Sequence, residues 1–158
     1  MSVERLVSTL AGADVQFIII GGVSAIIHGS VHTTNDIDIF YPRHRANVAR
    51  LARALAPFHP RPVDLPAGLP FLWEESTLRN ATLLTLDTDL GRIDLLAEVS
   101  GLGPFEEVWV ESPEVELYGC RVRTLNLRSL IAAKRAAGRD KDLRVIPELE
   151  SLLEAQEE

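Results

Sequence analysis

Three aspartates and a pair of glycines are the residues of this chain whose types and spacing could do chemistry. Asp36 and Asp38 flank one apolar residue in Asp36-Ile37-Asp38-Ile39-Phe40, and Asp94 stands among apolar neighbours in Arg92-Ile93-Asp94-Leu95-Leu96. The alternation of the first segment predicts a strand, on which side chains at i and i+2 leave the same face. Asp36 and Asp38 then point together, while Ile37 and Ile39 anchor the strand on the other face. Two such carboxylates repel each other, and a hard divalent cation is the natural compensation. Mg²⁺ takes oxygen ligands and is commonly held by one or two carboxylates together with substrate phosphates. Asp94, charged within an apolar strand, costs free energy unless it is paired or bound to a cation. The alternative is that Asp36 and Asp38 are merely solvated at a sheet edge, as charged residues usually are. That alternative leaves the glycines and Asp94 unexplained.

The elements that must position these groups begin with Val15, Phe17, Ile18, Ile19 and Ile20, a β-branched and aromatic run that reads as a buried strand. Gly21 and Gly22 end it, and a glycine pair permits positive φ and lets backbone N–H groups approach a ligand with no Cβ in the way. Val23 to His28 is apolar at helical spacing and stops at Gly29, and a short polar link leads into the aspartate strand. A turn that offers N–H groups to phosphate, next to carboxylates that offer a metal site, points to a nucleoside triphosphate.

The combination of Gly21-Gly22, a helix-length spacer and Asp36-Ile37-Asp38-Ile39 resembles the signature of the DNA polymerase β-like nucleotidyltransferase superfamily. Within it the chain is most similar to the AbiEii-like branch, which includes toxin components of bacterial toxin–antitoxin systems. The residues that carry this are Gly21-Gly22, His28-Gly29, Thr33-Thr34, Asp36, Asp38, Arg92-Ile93-Asp94, Leu130 to Lys134 and Arg139 to Asp142. The resemblance implies that Asp36 and Asp38 bind one or two Mg²⁺ ions and that Asp94 completes the set, as general base or second-metal ligand. It also implies nucleotide contacts by Gly21, Gly22, Thr34, Lys134 and Arg139, with ATP or another nucleoside triphosphate as donor. The implied reaction is transfer of a nucleoside monophosphate to a hydroxyl, on RNA or a tRNA end, in a toxin-like role. A small-molecule acceptor, as in antibiotic-modifying members, is the second reading. A non-catalytic, antitoxin-like protein that acts by binding a partner is the third.

Some residues near these motifs have plainer readings. Lys134 as a phosphate-facing cation competes with a solvated helix face, and Asp142 is expected to pair with Arg139 or Lys141 rather than bind metal. The branch commonly carries a basic residue where this chain has His32, and histidine is neutral for much of the time near pH 7. His28 and His32 stand at i, i+4 spacing, but a glycine lies between them and no further ligand for a transition metal is apparent.

The 158 residues, 46% hydrophobic and 25% charged, fit one globular domain spanning 1–158 with a helical C-terminal segment from about 127. A net charge of −7 argues against a broad duplex-binding surface, although arginines gather at 43–53 and 121–144. Cys120 stands alone, which excludes an internal disulfide framework and suits a reducing cytoplasm. No apolar run reaches the roughly 18–20 residues of a membrane span, so no membrane partner is expected.

The rest of the pattern predicts an amphipathic helix over 2–13 and another over 44–56. A loop carrying four prolines from Pro57 to Pro66 follows. Phe71, Leu72 and Trp73 read as core rather than lid, and 75–80 as a helical turn. Hairpins are predicted at 81–99, with Asp89-Leu90-Gly91 between the strands, and at 115–125, with Gly119 and Cys120 at the turn. Residues 101–113 read as a loop or short helix. Asn126 and Gly138 bound a helix over 127–137, and a last helix from about Asp140 is interrupted or restarted at Pro147. The fold class is α/β, a mixed sheet with helices packed on it, with the nucleotidyltransferase fold as the specific form that the resemblance implies.

Overall fold

A computed structural model describes residues 2–158. The central strands are β1 (Ile18–Ile20) and β2 (Ile37–Phe40), flanked by β5 (Gly91–Leu96) and β7 (Cys120–Thr124). Outside them lie β3 (Arg61–Pro62), β4 (Leu83–Thr88) and β6 (Glu114–Leu117), in the order β3-β4-β5-β2-β1-β7-β6. The sheet is mixed: β2 runs parallel to β5 and β1 parallel to β7, while the remaining neighbours are antiparallel.

Side chains alternate across a strand, so a sheet buried on both faces needs apolar residues at successive positions. Ile19, Ile37, Ile39, Ile93 and Leu95 enter one core, and Ile18, Ile20 and Phe40 enter the other. The first core is covered by α1 (Ser2–Gly12), α3 (Arg45–Leu55) and α4 (Glu75–Asn80), which contribute Leu6, Leu10, Leu51, Leu55 and Leu78, all fully buried. The second is covered by α5 (Phe105–Glu111), α6 (Leu127–Ala137) and α7 (Asp140–Glu157). The short α2 (Gly21–Ile27) joins β1 to β2. Each buried leucine or isoleucine contributes about 1.5–3 kcal/mol relative to exposure, so the two cores fix the sheet that carries the aspartates.

Several boundaries differ from the pattern. Val15 to Phe17 are outside β1, because the side-chain amide of Asn47 binds that backbone instead of a neighbouring strand. Asn47 Oδ1 accepts from the Gln16 N–H at 2.6 Å, and Nδ2 donates to the Gln16 carbonyl at 3.0 Å. Asp36 precedes β2 rather than belonging to it, and Cys120 opens β7 while Tyr118 and Gly119 make the turn. Pro147 neither interrupts nor restarts α7, which runs through it. The carbonyl of Leu143 loses its i+4 donor there, and Leu143 is 47% exposed, so water can serve it. Trp73 donates its indole N–H to the Ala52 carbonyl at 2.8 Å and packs on the first core, whereas Leu72 is exposed. Among the described residues no helix is long and apolar enough to cross a membrane.

Candidate active site

The two faces of the sheet are not equivalent. On the face covered by α5, α6 and α7, Asp38 and Asp94 lie among Ile18, Ile20, Phe40 and Leu96, with Thr85 opposite Asp94 on its other side and Arg123 opposite Ile18. The parallel pairing of β2 with β5 sets Asp38 directly opposite Asp94, and the antiparallel pairing of β1 with β2 sets Ile20 opposite Asp38 on the other side. Residues two apart share a face, so Phe40 and Leu96, also opposite one another, continue the surface beyond the carboxylates.

Gly21, at φ +67°, lies beneath this pair. A Cβ built on it would fall on Asp38 Oδ2 and come within 3.0 Å of Cγ, and one built on Gly22 would press on Thr34 Cβ and Cγ2 at 3.3 Å. Gly21 thus has the positive φ expected of it and is also required by the Asp38 carboxylate, while Gly22 is only tight against Thr34. The Thr34 hydroxyl is used locally: it donates to the Asp36 carbonyl and accepts from the Asp36 N–H, both at 3.3 Å.

The pairing perturbs Asp38. The Asp38 pKa is pushed up to about 7 from 3.8, first by burial, then by a hydrogen bond with the Asp94 carboxyl and by its charge, while Lys134 pulls the other way and Asp36 adds a further upward push. Two ionised carboxylates at close range are costly without a cation, so Asp38 holds its proton up to near neutrality. Asp94 Oδ1 is buried with no hydrogen-bond partner. A buried, unpaired carboxylate oxygen is costly and fits a site built for something additional.

Facing the dyad is the elbow between α6 and α7. The Asn126 side chain caps α6 by accepting from the Ser129 N–H at 2.8 Å, and Gly138, at φ +67°, ends it. Asp142 in the first turn of α7 has a side chain only 1% exposed. It accepts from Arg139 Nε at 2.6 Å, Arg139 Nη2 at 3.2 Å and Lys134 Nζ at 3.4 Å. Burial raises its pKa, but the hydrogen bonds and charges of Arg139 and Lys134 outweigh that and hold it below the usual carboxylate range. Of the two expected partners it is Arg139 that pairs with Asp142, and Lys134 of α6, which was not expected there, joins it. Together Gly21, Asp38, Asp94, Lys134, Arg139 and Asp142 line a cleft of about 200 Å³.

The structure brings together Gly21, Asp38, Asp94, Lys134 and Arg139 and leaves Gly22, Thr34 and Asp36 outside the cleft lining. Asp36 is exposed one residue before β2 and does not line the cleft, although its charge acts on Asp38. Among the described residues no group of three or more His, Cys, Asp or Glu is gathered around a common point. What exists is a two-carboxylate site, the arrangement that suits a cation completed by phosphate oxygens. His28 is not a ligand: Nε2 donates to the Leu125 carbonyl at 2.6 Å, which leaves Nδ1 to accept from Gln156 at 3.3 Å.

Two features were not legible in the sequence. Glu148 of α7 accepts from the Ser30 hydroxyl at 2.7 Å and the Val31 N–H at 3.1 Å and lies 3.3 Å from His32 Nδ1, tying down the link that leads to Asp36. A second cavity, of about 690 Å³, adjoins the carboxylate cleft and shares Leu83, Leu96 and Val99 with it. No protein-family profile matches the chain, and no curated protein matches it.

Proposed function

We propose that this protein is a divalent-metal-dependent nucleotidyltransferase with the polymerase β-like fold, and that Asp38 and Asp94 are its catalytic carboxylates. The observation that carries the reading is the register of β2 against β5, which opposes two carboxylates on one face with Lys134 and Arg139 across a small cleft. The unpartnered Asp94 Oδ1 and the raised Asp38 pKa fit a bound Mg²⁺ ion, and the charge of Asp36, which acts on Asp38, adds to the field that would attract one. When bound, such an ion supplies positive charge to the phosphoryl oxygens of the substrate.

The chain's own residues divide the remaining work. Lys134 and Arg139 attract the phosphates, and Asp142 orients both cations toward the cleft. Gly21 leaves the volume that Asp38 occupies. Asp94 takes the proton of the acceptor hydroxyl as its oxygen bonds to the α-phosphorus. The bond from that phosphorus to the bridging oxygen breaks, and pyrophosphate departs. RNA or a tRNA end remains the proposed acceptor on the strength of the resemblance, with a toxin-like role. A small-molecule acceptor is the second reading, favoured by the absence of lysine or arginine from the lining of the larger cavity.

Incubation with each α-labelled nucleoside triphosphate and Mg²⁺, with and without total tRNA, tests the reading. Label in RNA supports RNA transfer, and pyrophosphate release only with an added small hydroxyl compound supports the alternative. An absence of nucleotide binding would leave a partner-binding protein.

A further inference from the structure

The larger cavity is assigned no task by the carboxylate chemistry, yet it opens from the same sheet face. Its floor is Phe40 and Leu96, each two residues beyond an aspartate of the dyad and opposite one another in the sheet. Its far wall is the segment 97–104 that follows β5. Gly101, at φ +86°, lets that segment lie against α6, since a Cβ there would meet the Ala132 carbonyl at 2.7 Å and Ala136 Cβ at 2.8 Å. The wall is thus held by packing rather than left loose. At about 690 Å³ the cavity is more than three times the volume of the cleft and within the range of roughly 300–1,000 Å³ that takes small organic ligands.

The charge distribution across the dyad is lopsided. On one side stand Lys134 and Arg139, both held by Asp142, and on the other the only ionisable side chain among the described residues that line the cavity is the carboxylate of Glu98. Polyphosphate belongs at the cationic side, because the cavity lining itself holds one anion and no cation, and the nearest cation, Arg43, is 4.0 Å from Glu98 and spends its guanidinium on the Arg79 and Ala81 carbonyls. Phe40, Phe105, Leu83 and Leu96 supply apolar area, and Thr82, Ser100 and the backbone of 100–103 supply polar groups. We propose that this cavity binds an uncharged, hydroxyl-bearing ring of nucleoside or sugar size and excludes phosphate. The inference rests on the nucleotidyltransferase reading for what lies at the cationic side. The ring has two possible sources: the nucleoside of the donor triphosphate itself, or the acceptor.

Two substitutions at exposed lining positions separate shape from charge. Ser100→Trp fills the cavity, and Thr82→Glu adds a second anion while leaving most of the volume. The probes are ATP, GTP, CTP and UTP with Mg²⁺, tripolyphosphate alone, the four uncharged ribonucleosides, and total tRNA as acceptor. Ser100→Trp is expected to weaken triphosphate binding or slow transfer by about tenfold or more, equivalent to about 1.4 kcal/mol, without changing tripolyphosphate binding. Thr82→Glu is expected to change either by less than about threefold. Weaker triphosphate binding by Ser100→Trp identifies the nucleoside as the occupant, and unchanged binding with slowed transfer identifies the acceptor. A loss in Thr82→Glu as large as that in Ser100→Trp would place an anion in the cavity and overturn the proposal, as would two variants that both behave as wild type. Nucleoside titrations followed at the Gly101 and Gly103 amides by NMR need neither metal nor phosphate. Shifts there in a protein that binds no tripolyphosphate would sustain the cavity and refute the carboxylate site's function instead.

Discussion

Replacing Asp38 by asparagine should make the metal-free protein more stable than wild type above neutral pH. The folded Asp38 pKa of about 7 lies above its ordinary 3.8, so between these values the folded chain holds a proton that the unfolded chain has released. The contribution of the protonated dyad is fully present below about pH 4 and is lost as pH rises through about 7. At about 1.36 kcal/mol per pH unit the displacement is worth at most about 4 kcal/mol, and relaxation of a pair that is not wholly buried lowers this to about 1–3 kcal/mol. Asparagine keeps the shape, donates to Asp94 and cannot ionise. Urea midpoints measured from about pH 5 to about pH 8.5 in the presence of a chelator give the test. The wild-type stability should fall relative to Asp38→Asn across this window, with the difference greatest at the alkaline end. Added Mg²⁺ should restore wild type and leave the variant unchanged. Parallel profiles for the two proteins, with no Mg²⁺ response, would refute the coupling of Asp38 to Asp94.

Other substitutions probe the supports of the site. Gly21→Ala combines a positive φ with a collision against Asp38, so it should cost about 1–3 kcal/mol in urea unfolding and abolish metal-dependent nucleotide binding. Gly12→Ala, with nothing within 4 Å, should be neutral or slightly stabilising. Asp142→Asn leaves Lys134 and Arg139 without their anion and should cost about 1–3 kcal/mol while weakening tripolyphosphate binding in a calorimetric titration. Ser24 and Thr124 share a hydrogen bond of 2.6 Å, both fully buried. Either changed alone to an apolar residue, Ser24→Ala or Thr124→Val, should lose about 1–2 kcal/mol, and the double change less than the sum of the two.

The local half of this architecture was legible in the sequence because local rules govern it. Asn126 and Gly138 bound α6 as their capping chemistry requires, and the alternation around Ile37 and Ile39 identified β2. Strand register was beyond such rules: nothing near residue 38 or residue 94 states that they lie opposite one another, since that pairing depends on how two cores set the sheet. Asp36 shows the reverse failure. Its period-two spacing from Asp38 was real, but Thr34 binds its backbone on both sides and β2 begins only after it. Asn47 likewise replaced strand pairing at Gln16 by a side-chain contact between residues 31 positions apart. The glycine pair was legible as a place for positive φ, which Gly21 has, but not as the space that the protein's own Asp38 fills, since that depends on strand pairing.

Electron paramagnetic resonance of free Mn²⁺, titrated into the protein with a non-hydrolysable nucleoside triphosphate, reads the dyad as a cation site without relying on turnover. Wild type should withdraw Mn²⁺ from solution more strongly when the nucleotide is present than the nucleotide does alone, and Asp38→Asn and Asp94→Asn should each abolish that excess. Undiminished Mn²⁺ uptake by either variant, or no excess over nucleotide in wild type, would contradict the assignment.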